Sequence, residues 1–213
     1  MALEVAGRVG PIIAADGSDE QPRLSRDGSV VAQDSHGRYQ EAVLRGNLFA
    51  LSVSAGAATA FVGGAAGTPL ISIYNPAGSG RNLVVLHASV AGRVSASAAG
   101  SVGFNFWGGV SAANTGTLTV PVNMYTLQKA GSVALGSSNA ATTSTTAISA
   151  NGPLLNVGWY YWATAAAAAL APIYCDVGGL IVCAPGNLVA LGGTAALTSA
   201  TYDVSMIWEE VSI

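Results

Sequence analysis

The side chains that could do chemistry are few. Only two histidines occur, His36 and His87. His36 lies in Asp34-Ser35-His36-Gly37, which puts the residue types of a nucleophilic triad side by side. Triads are assembled in space from separate elements on a rigid scaffold, so a cluster this local reads as a polar turn. His87 stands in the apolar run Leu83–Val90 and reads as a strand residue with a bonded ring nitrogen or an exposed edge position. No G-x-S-x-G elbow is present. Beyond residue 47 the carboxylates are Asp176, Asp203, Glu209 and Glu210. Glu209 and Glu210 are adjacent and in a strand point to opposite faces. Solvated or interface charges account for these four better than a glycosidase pair does. Cys175 and Cys183 are the only cysteines. Their spacing matches no zinc pattern, and no paired histidine accompanies them. They read as small hydrophobes in strands. Gly63-Gly64-Ala65-Ala66-Gly67 lacks the lysine and helix of a phosphate loop. The expectation is a non-enzyme with no catalytic residue, cofactor or metal.

One constellation suits contact rather than catalysis. Trp159, Tyr160, Tyr161 and Trp162 are consecutive. In a strand, alternation puts Trp159 and Tyr161 on one face and Tyr160 and Trp162 on the other. One pair is then core. The other is a candidate contact patch, because aromatics are enriched at interfaces.

The elements that must position these residues are strands. Ile71–Tyr74 and Leu83–Val94 flank the cluster Asn75-Pro76-Ala77-Gly78-Ser79-Gly80 and read as a hairpin. Leu48–Val53, Ser101–Val110, Leu118–Leu127, Ser132–Leu135, Leu154–Trp162, Ile173–Cys183 and Leu188–Leu191 are further strand candidates. Pro121 marks an edge or a bulge in its run. Gly178-Gly179 is a tight turn or a bend within its run. Ala200–Val211 has the cleanest alternation, with Tyr202, Val204, Met206 and Trp208 on one face. Eight to ten short strands between turn signals predict an all-β fold, a β-sandwich or jelly-roll-like domain. The run Trp159–Cys175 contains Pro172 and falls short of the roughly 20 apolar residues of a membrane helix. The opening MALEVAGRVG has Glu4 and no apolar h-region, so no signal peptide is expected.

Charge divides the chain. Only 9% of residues are charged, against about 25% in an average protein. Of the 8 basic and 11 acidic side chains, twelve fall within the first 47 residues. We read residues 1–46 as an extended N-terminal arm and 47–213 as the β domain. A net charge of −3 with no basic stripe excludes a nucleic-acid partner. A surface so poor in charge lacks the usual means of keeping monomers dispersed, which points to partners covering it. Candidate contacts are Arg23, Arg26, Arg38, Tyr39 and Arg45 in the arm, and Trp159, Tyr160, Tyr161 and Trp162 in the domain.

Three segments carry a family likeness. Tyr74-Asn75-Pro76-Ala77-Gly78-Ser79-Gly80-Arg81-Asn82-Leu83 resembles the NP-x-GSG-x-N-L turn of small β-rich virion proteins of tailed bacteriophages. Ala184-Pro185-Gly186-Asn187 and the apolar run after it are similar to the penultimate strand of jelly-roll-like phage proteins. Ser205-Met206-Ile207-Trp208-Glu209-Glu210-Val211 is similar to their "WEE" terminal strand. The resemblance implies a homo-oligomeric, non-enzymatic head or tail accessory protein. The expectation is a capsid decoration (cement) protein, made in the bacterial cytoplasm and placed on the capsid exterior. It would bind the major capsid protein, preferably as a homotrimer, with no membrane partner. The alternative is a tail- or fibre-associated module that binds host glycan through loops Ala55–Gly67 and Ser137–Thr146 and an aromatic pair.

Overall fold

The computed structural model describes residues 37–57, 69–94, 99–110, 118–138, 152–162, 171–195 and 200–213. The chain divides into two units, Met1–Glu41 and Ala42–Ile213. Arg23, Arg26, His36, most of Ala55–Gly67 and most of Ser137–Thr146 lie outside the described residues, as does the side chain of Trp162, and the start of Ala55–Gly67 belongs to a strand rather than a loop.

Among the described residues, one short helix, α1 (Gln40–Leu44), precedes eleven strands. These are β1 (Leu48–Ala57), β2 (Ile71–Tyr74), β3 (Arg81–Val94), β4 (Gly100–Val110), β5 (Leu118–Thr119), β6 (Val122–Asn123), β7 (Leu135–Ser138), β8 (Leu155–Trp162), β9 (Ile173–Cys183), β10 (Asn187–Gly193) and β11 (Thr201–Ser212). They form two packed antiparallel sheets. The five-stranded sheet has the order β6-β1-β11-β3-β9, and the six-stranded sheet β5-β7-β2-β10-β4-β8.

Four pairings explain this order. β1 pairs with β11, β2 with β10, β3 with β9 and β4 with β8, all antiparallel. The first half of the domain is thus one arm of a long double ribbon, and the second half is the other. The ribbon then folds across itself. β3 pairs with β11 to close one sheet, and β4 with β10 to close the other. This is the wrapping of a jelly roll. β5, β6 and β7 are inserted where the ribbon doubles back and extend the two sheets at the β1 and β2 sides.

This topology overturns the hairpin reading of Ile71–Val94. β2 belongs to the six-stranded sheet and β3 to the five-stranded one, so the Asn75–Gly80 turn carries the chain between layers. Both β2 and β3 are interior strands of their sheets. The Leu118–Leu127 run is likewise not one strand. It breaks at Val120-Pro121 into β5 and β6 of different sheets, because a proline cannot donate to a ladder. Its remainder is a turn held by Asn123, whose Oδ1 accepts from Tyr125 N at 2.9 Å and Thr126 N at 3.1 Å. The short strand expected at Ser132–Leu135 lies further along, at β7.

Burial follows the alternation. On β11, Tyr202, Val204, Met206 and Trp208 are buried and their neighbours half-buried. They meet Phe49 and Leu51 of β1, Val85 and Val90 of β3, and Phe104 and Phe106 of β4. Phe104 packs edge-on against Tyr160 at 5.6 Å and Tyr202 at 5.0 Å. β10 is different, as its residues from Leu188 onward are buried on both faces. Leu188 and Ala190 join Trp107 in a second cluster on the outer face of the six-stranded sheet, with Tyr74 against it. A strand covered on both sides reads as a continuous apolar run, which is why Leu188-Val189-Ala190-Leu191 shows no alternation.

Candidate functional site

The chemistry-bearing residues are dispersed and structurally occupied. His87 is bonded through Nδ1 to the Cys175 carbonyl at 3.0 Å, across the β3–β9 pairing. Cys183 is buried in the core, and its Sγ lies 3.2 Å from the Asn187 carbonyl. Burial pushes this thiol up to about 12, far from a reactive thiolate. Burial also raises Cys175, and the Asp176 carboxylate adds to the effect. Asp203 pairs with Arg93 at 3.7 Å, both side chains about half exposed, where such a pair contributes little. Among the described residues, no three of His, Cys, Asp and Glu gather as a metal site.

Glu210 is the exception in burial, at 1% exposure. Alternation puts it on the core face of β11, beyond Trp208. Its carboxylate accepts from Ser132 Oγ at 2.6 Å and from Val133 N at 3.0 Å, and it pairs with Arg81 at 3.5 Å. These bonds latch the approach to β7 onto β11. The latch holds structure, since every partner is a donor from the same fold.

The turns at Asn75–Gly80 and Ala184–Asn187 converge here with the end of β11. Asn75 is fully buried, and its Nδ2 donates to the carbonyls of Arg81 at 2.7 Å and Cys183 at 2.8 Å. Gly186 N donates to the Asn75 carbonyl at 2.7 Å, and Asn75 N to the Asn187 carbonyl at 2.9 Å. Arg81 reaches Glu210, and Ile213 N donates to the Gly80 carbonyl at 3.1 Å. The turn at Asn75–Gly80, the turn at Ala184–Asn187 and the end of β11 are thus one bonded unit that ties two interlayer crossings together.

The exposed apolar side chains lie elsewhere. β8 is the edge of one sheet and β9 the edge of the other, and they border the same side of the sandwich. A Cβ on Gly158 of β8 would sit 3.0 Å from the Ile173 side chain of β9, so the two edges touch. Leu154, Leu180 and Val182 are exposed along this side, Leu180 by 84%. With Leu155 and Ile181 they line an apolar depression of about 340 Å³. A second depression of about 260 Å³ shares Leu154, Ile181 and Val182 and continues onto Gly108, Leu188 and Val189. Gly178 and Gly179 adopt φ of 59° and 84°. Residues between Asp176 and Ile181 bulge out of the ladder there, which bends the edge. Gly178-Gly179 is therefore a bend within one strand, not a hairpin turn.

Among the described side chains, Trp159, Tyr160 and Tyr161 divide as alternation requires. Tyr160 is 5% exposed, and its hydroxyl shares its one proton between the Val90 carbonyl at 2.7 Å and the Ala171 carbonyl at 2.9 Å. It is a core residue, so it drops out as a surface contact. Trp159 and Tyr161 face outward. Of the arm residues, Arg38 is exposed with its guanidinium 5.1 Å over the half-buried Tyr39 ring. Arg45 is exposed just after α1. Leu180 and Val182 were not singled out in the sequence. The signal for them was the period-two alternation of β9 itself, which puts both on its exposed face with Tyr174 and Asp176.

Among the described residues, no helix is long and apolar enough to cross a membrane. The fold defines the class: an all-β, jelly-roll-like sandwich. No protein-family model matches the chain, and no curated protein matches it.

Proposed function

We propose that this chain is a structural virion protein of the capsid-decoration type, which binds the outer capsid surface and stabilises capsomer junctions. The observation that carries the reading is the apolar side along β8 and β9, with Leu154, Leu180 and Val182 exposed around a shared depression. Contiguous apolar surface of this kind marks an interaction site. Burying a Leu or Val side chain gains about 1.5–3 kcal/mol each, so a few such contacts repeated over a symmetric lattice make a strong clamp. The sequence likeness to small virion proteins and the jelly-roll strand order both favour a capsid partner. A cyclic homotrimer is the proposed assembly, since closed symmetry is the norm for oligomers and capsids offer threefold positions.

The test is co-sedimentation with undecorated capsids. The chain should travel with them and raise their melting temperature. Leu180→Asp combined with Val182→Asp should abolish both effects while leaving the free protein's own melting within a few degrees. A wild-type chain that neither co-sediments nor stabilises capsids rules the proposal out.

A further inference from the structure

The six-stranded sheet contains no Asp, Glu, Lys, Arg or His in any of its strands, whereas the strands of the other sheet carry Arg81, His87, Arg93, Asp176, Asp203, Glu209 and Glu210. At the β8 edge of this uncharged sheet stand Trp159, 62% exposed, and Tyr161, 68% exposed. Both project from the outer face, because Tyr160 between them is in the core. Trp159 lies opposite Gly103 of β4. A Cβ on Gly103 would come within 2.7, 2.8 and 2.9 Å of Trp159 Cε2, Cζ2 and Cδ2. Three ring atoms at nearly equal approach mean that the indole lies broadside on the glycine. One ring face is therefore seated on the sheet, and the other is turned to solvent. Gly103 is itself fixed, as its N–H donates to Thr194 Oγ1 at 2.8 Å and its carbonyl accepts from Thr194 N at 2.8 Å. Tyr161, opposite Ser101, stands about 7 Å further along the same face. The margin of this surface is neutral and polar. Asn156 is exposed there, opposite the buried Asn105 across the β8–β4 pairing, and the exposed Ser101 lies opposite Tyr161.

We propose that Trp159 and Tyr161 form a stacking platform for a neutral saccharide. A pyranose ring has an apolar C–H face and a rim of hydroxyls. An immobilised indole face bordered by amides and hydroxyls complements both. A nucleic acid is disfavoured because its phosphates need cations, and the sheet has none. Anionic sugars are disfavoured for the same reason. A protein hot spot would place its aromatic in a packed pocket sheltered from water, whereas this indole lies on an open face. The platform is separate from the Leu180 and Val182 side chains proposed to meet the capsid, so this activity goes beyond that reading.

The probe is a titration of the full chain with maltohexaose and cellohexaose, and with an anionic heparin hexasaccharide as the contrast. The readout is the Trp159 indole N–H resonance, identified by its loss in Trp159→Phe. A neutral hexasaccharide should give saturable shifts at millimolar concentration, and heparin should give none. Trp159→Ala and Tyr161→Ala should each weaken binding by about tenfold or more, with capsid co-sedimentation unchanged. Gly103→Ala should also weaken it by tilting the indole off the sheet, while the core aromatic resonances stay in place. The proposal is overturned if neither neutral hexasaccharide shifts the resonance, or if heparin alone does. It is equally overturned if binding survives in Trp159→Ala, or if Trp159→Ala instead abolishes capsid co-sedimentation.

Discussion

Glu210 shows how little of this chain's charge is spent on chemistry. It is the one charged side chain buried among the described residues, and its bonds to Ser132, Val133 and Arg81 return it to the fold. Hydrogen bonds to a charged group contribute about 1.5–3 kcal/mol. Glu210→Ala should therefore lower unfolding stability by about 2–3 kcal/mol in denaturant titration. Glu209→Ala, on the opposite face of the same strand, should change it by less than about 0.5 kcal/mol. Cys183 gives a pH-dependent counterpart. Its thiol is raised from 9.0 to about 12 by burial, so the folded state holds that proton more tightly than the unfolded state does. The resulting stability is complete below pH 9 and is lost as pH rises toward 12. Melting temperature should fall more steeply over that range in the wild type than in Cys183→Ala. Equal slopes would show that the folded and unfolded states hold the thiol proton equally, contrary to its burial.

At the scale of elements, Asn75 decides whether the layers connect correctly. One side-chain amide serves two carbonyls, Arg81 and Cys183, that belong to strands on either side of the β3–β9 pairing. Asn75→Ala strands both acceptors in a buried site, at about 1–3 kcal/mol for each unsatisfied group. The expected loss is about 2–4 kcal/mol in chemical denaturation, with the jelly roll kept. The same residue marks where sequence reading succeeds and where it stops. The β11 alternation from Tyr202 to Trp208 and the placing of Trp159 and Tyr161 on the face opposite Tyr160 were legible, because period two is a local property of the backbone, whereas which of those faces is core was not. The meaning of Asn75-Pro76-Ala77-Gly78-Ser79-Gly80 was not. A turn between two apolar runs looks the same whether the runs pair or enter different sheets. That choice is made by β10 and β9, which lie far along the chain and pair with β2 and β3. For the same reason the edge position of β9 was not legible, since only the strand order sets it, and Leu180 and Val182 lie on the outward face of that edge.

Across the whole molecule, charge and apolar exposure are segregated, and that makes association testable by salt. Beyond residue 47 only seven charged side chains remain. Six sit on strands of one sheet, Lys129 lies in the turn after β6, and the other sheet has none. The proposed capsid-facing side is lined by Leu154, Leu180 and Val182. Contacts between exposed charges are largely screened once the Debye length falls to about 3 Å, near 1 M salt. Burial of apolar area is not screened, and it leaves a negative heat-capacity change on binding. Affinity for undecorated capsids should therefore fall by less than about tenfold between low salt and about 1 M NaCl, and calorimetry at several temperatures should give a negative ΔCp. The arm sharpens the experiment, because residues 1–47 hold twelve charges. If those charges do no more than choose register and partner, they affect on-rate and its salt dependence while the apolar side sets the off-rate. Salt should then slow association and leave dissociation nearly constant. A dissociation rate that climbs steeply with salt would place the binding energy in the charged arm and remove the β8–β9 side from the interface.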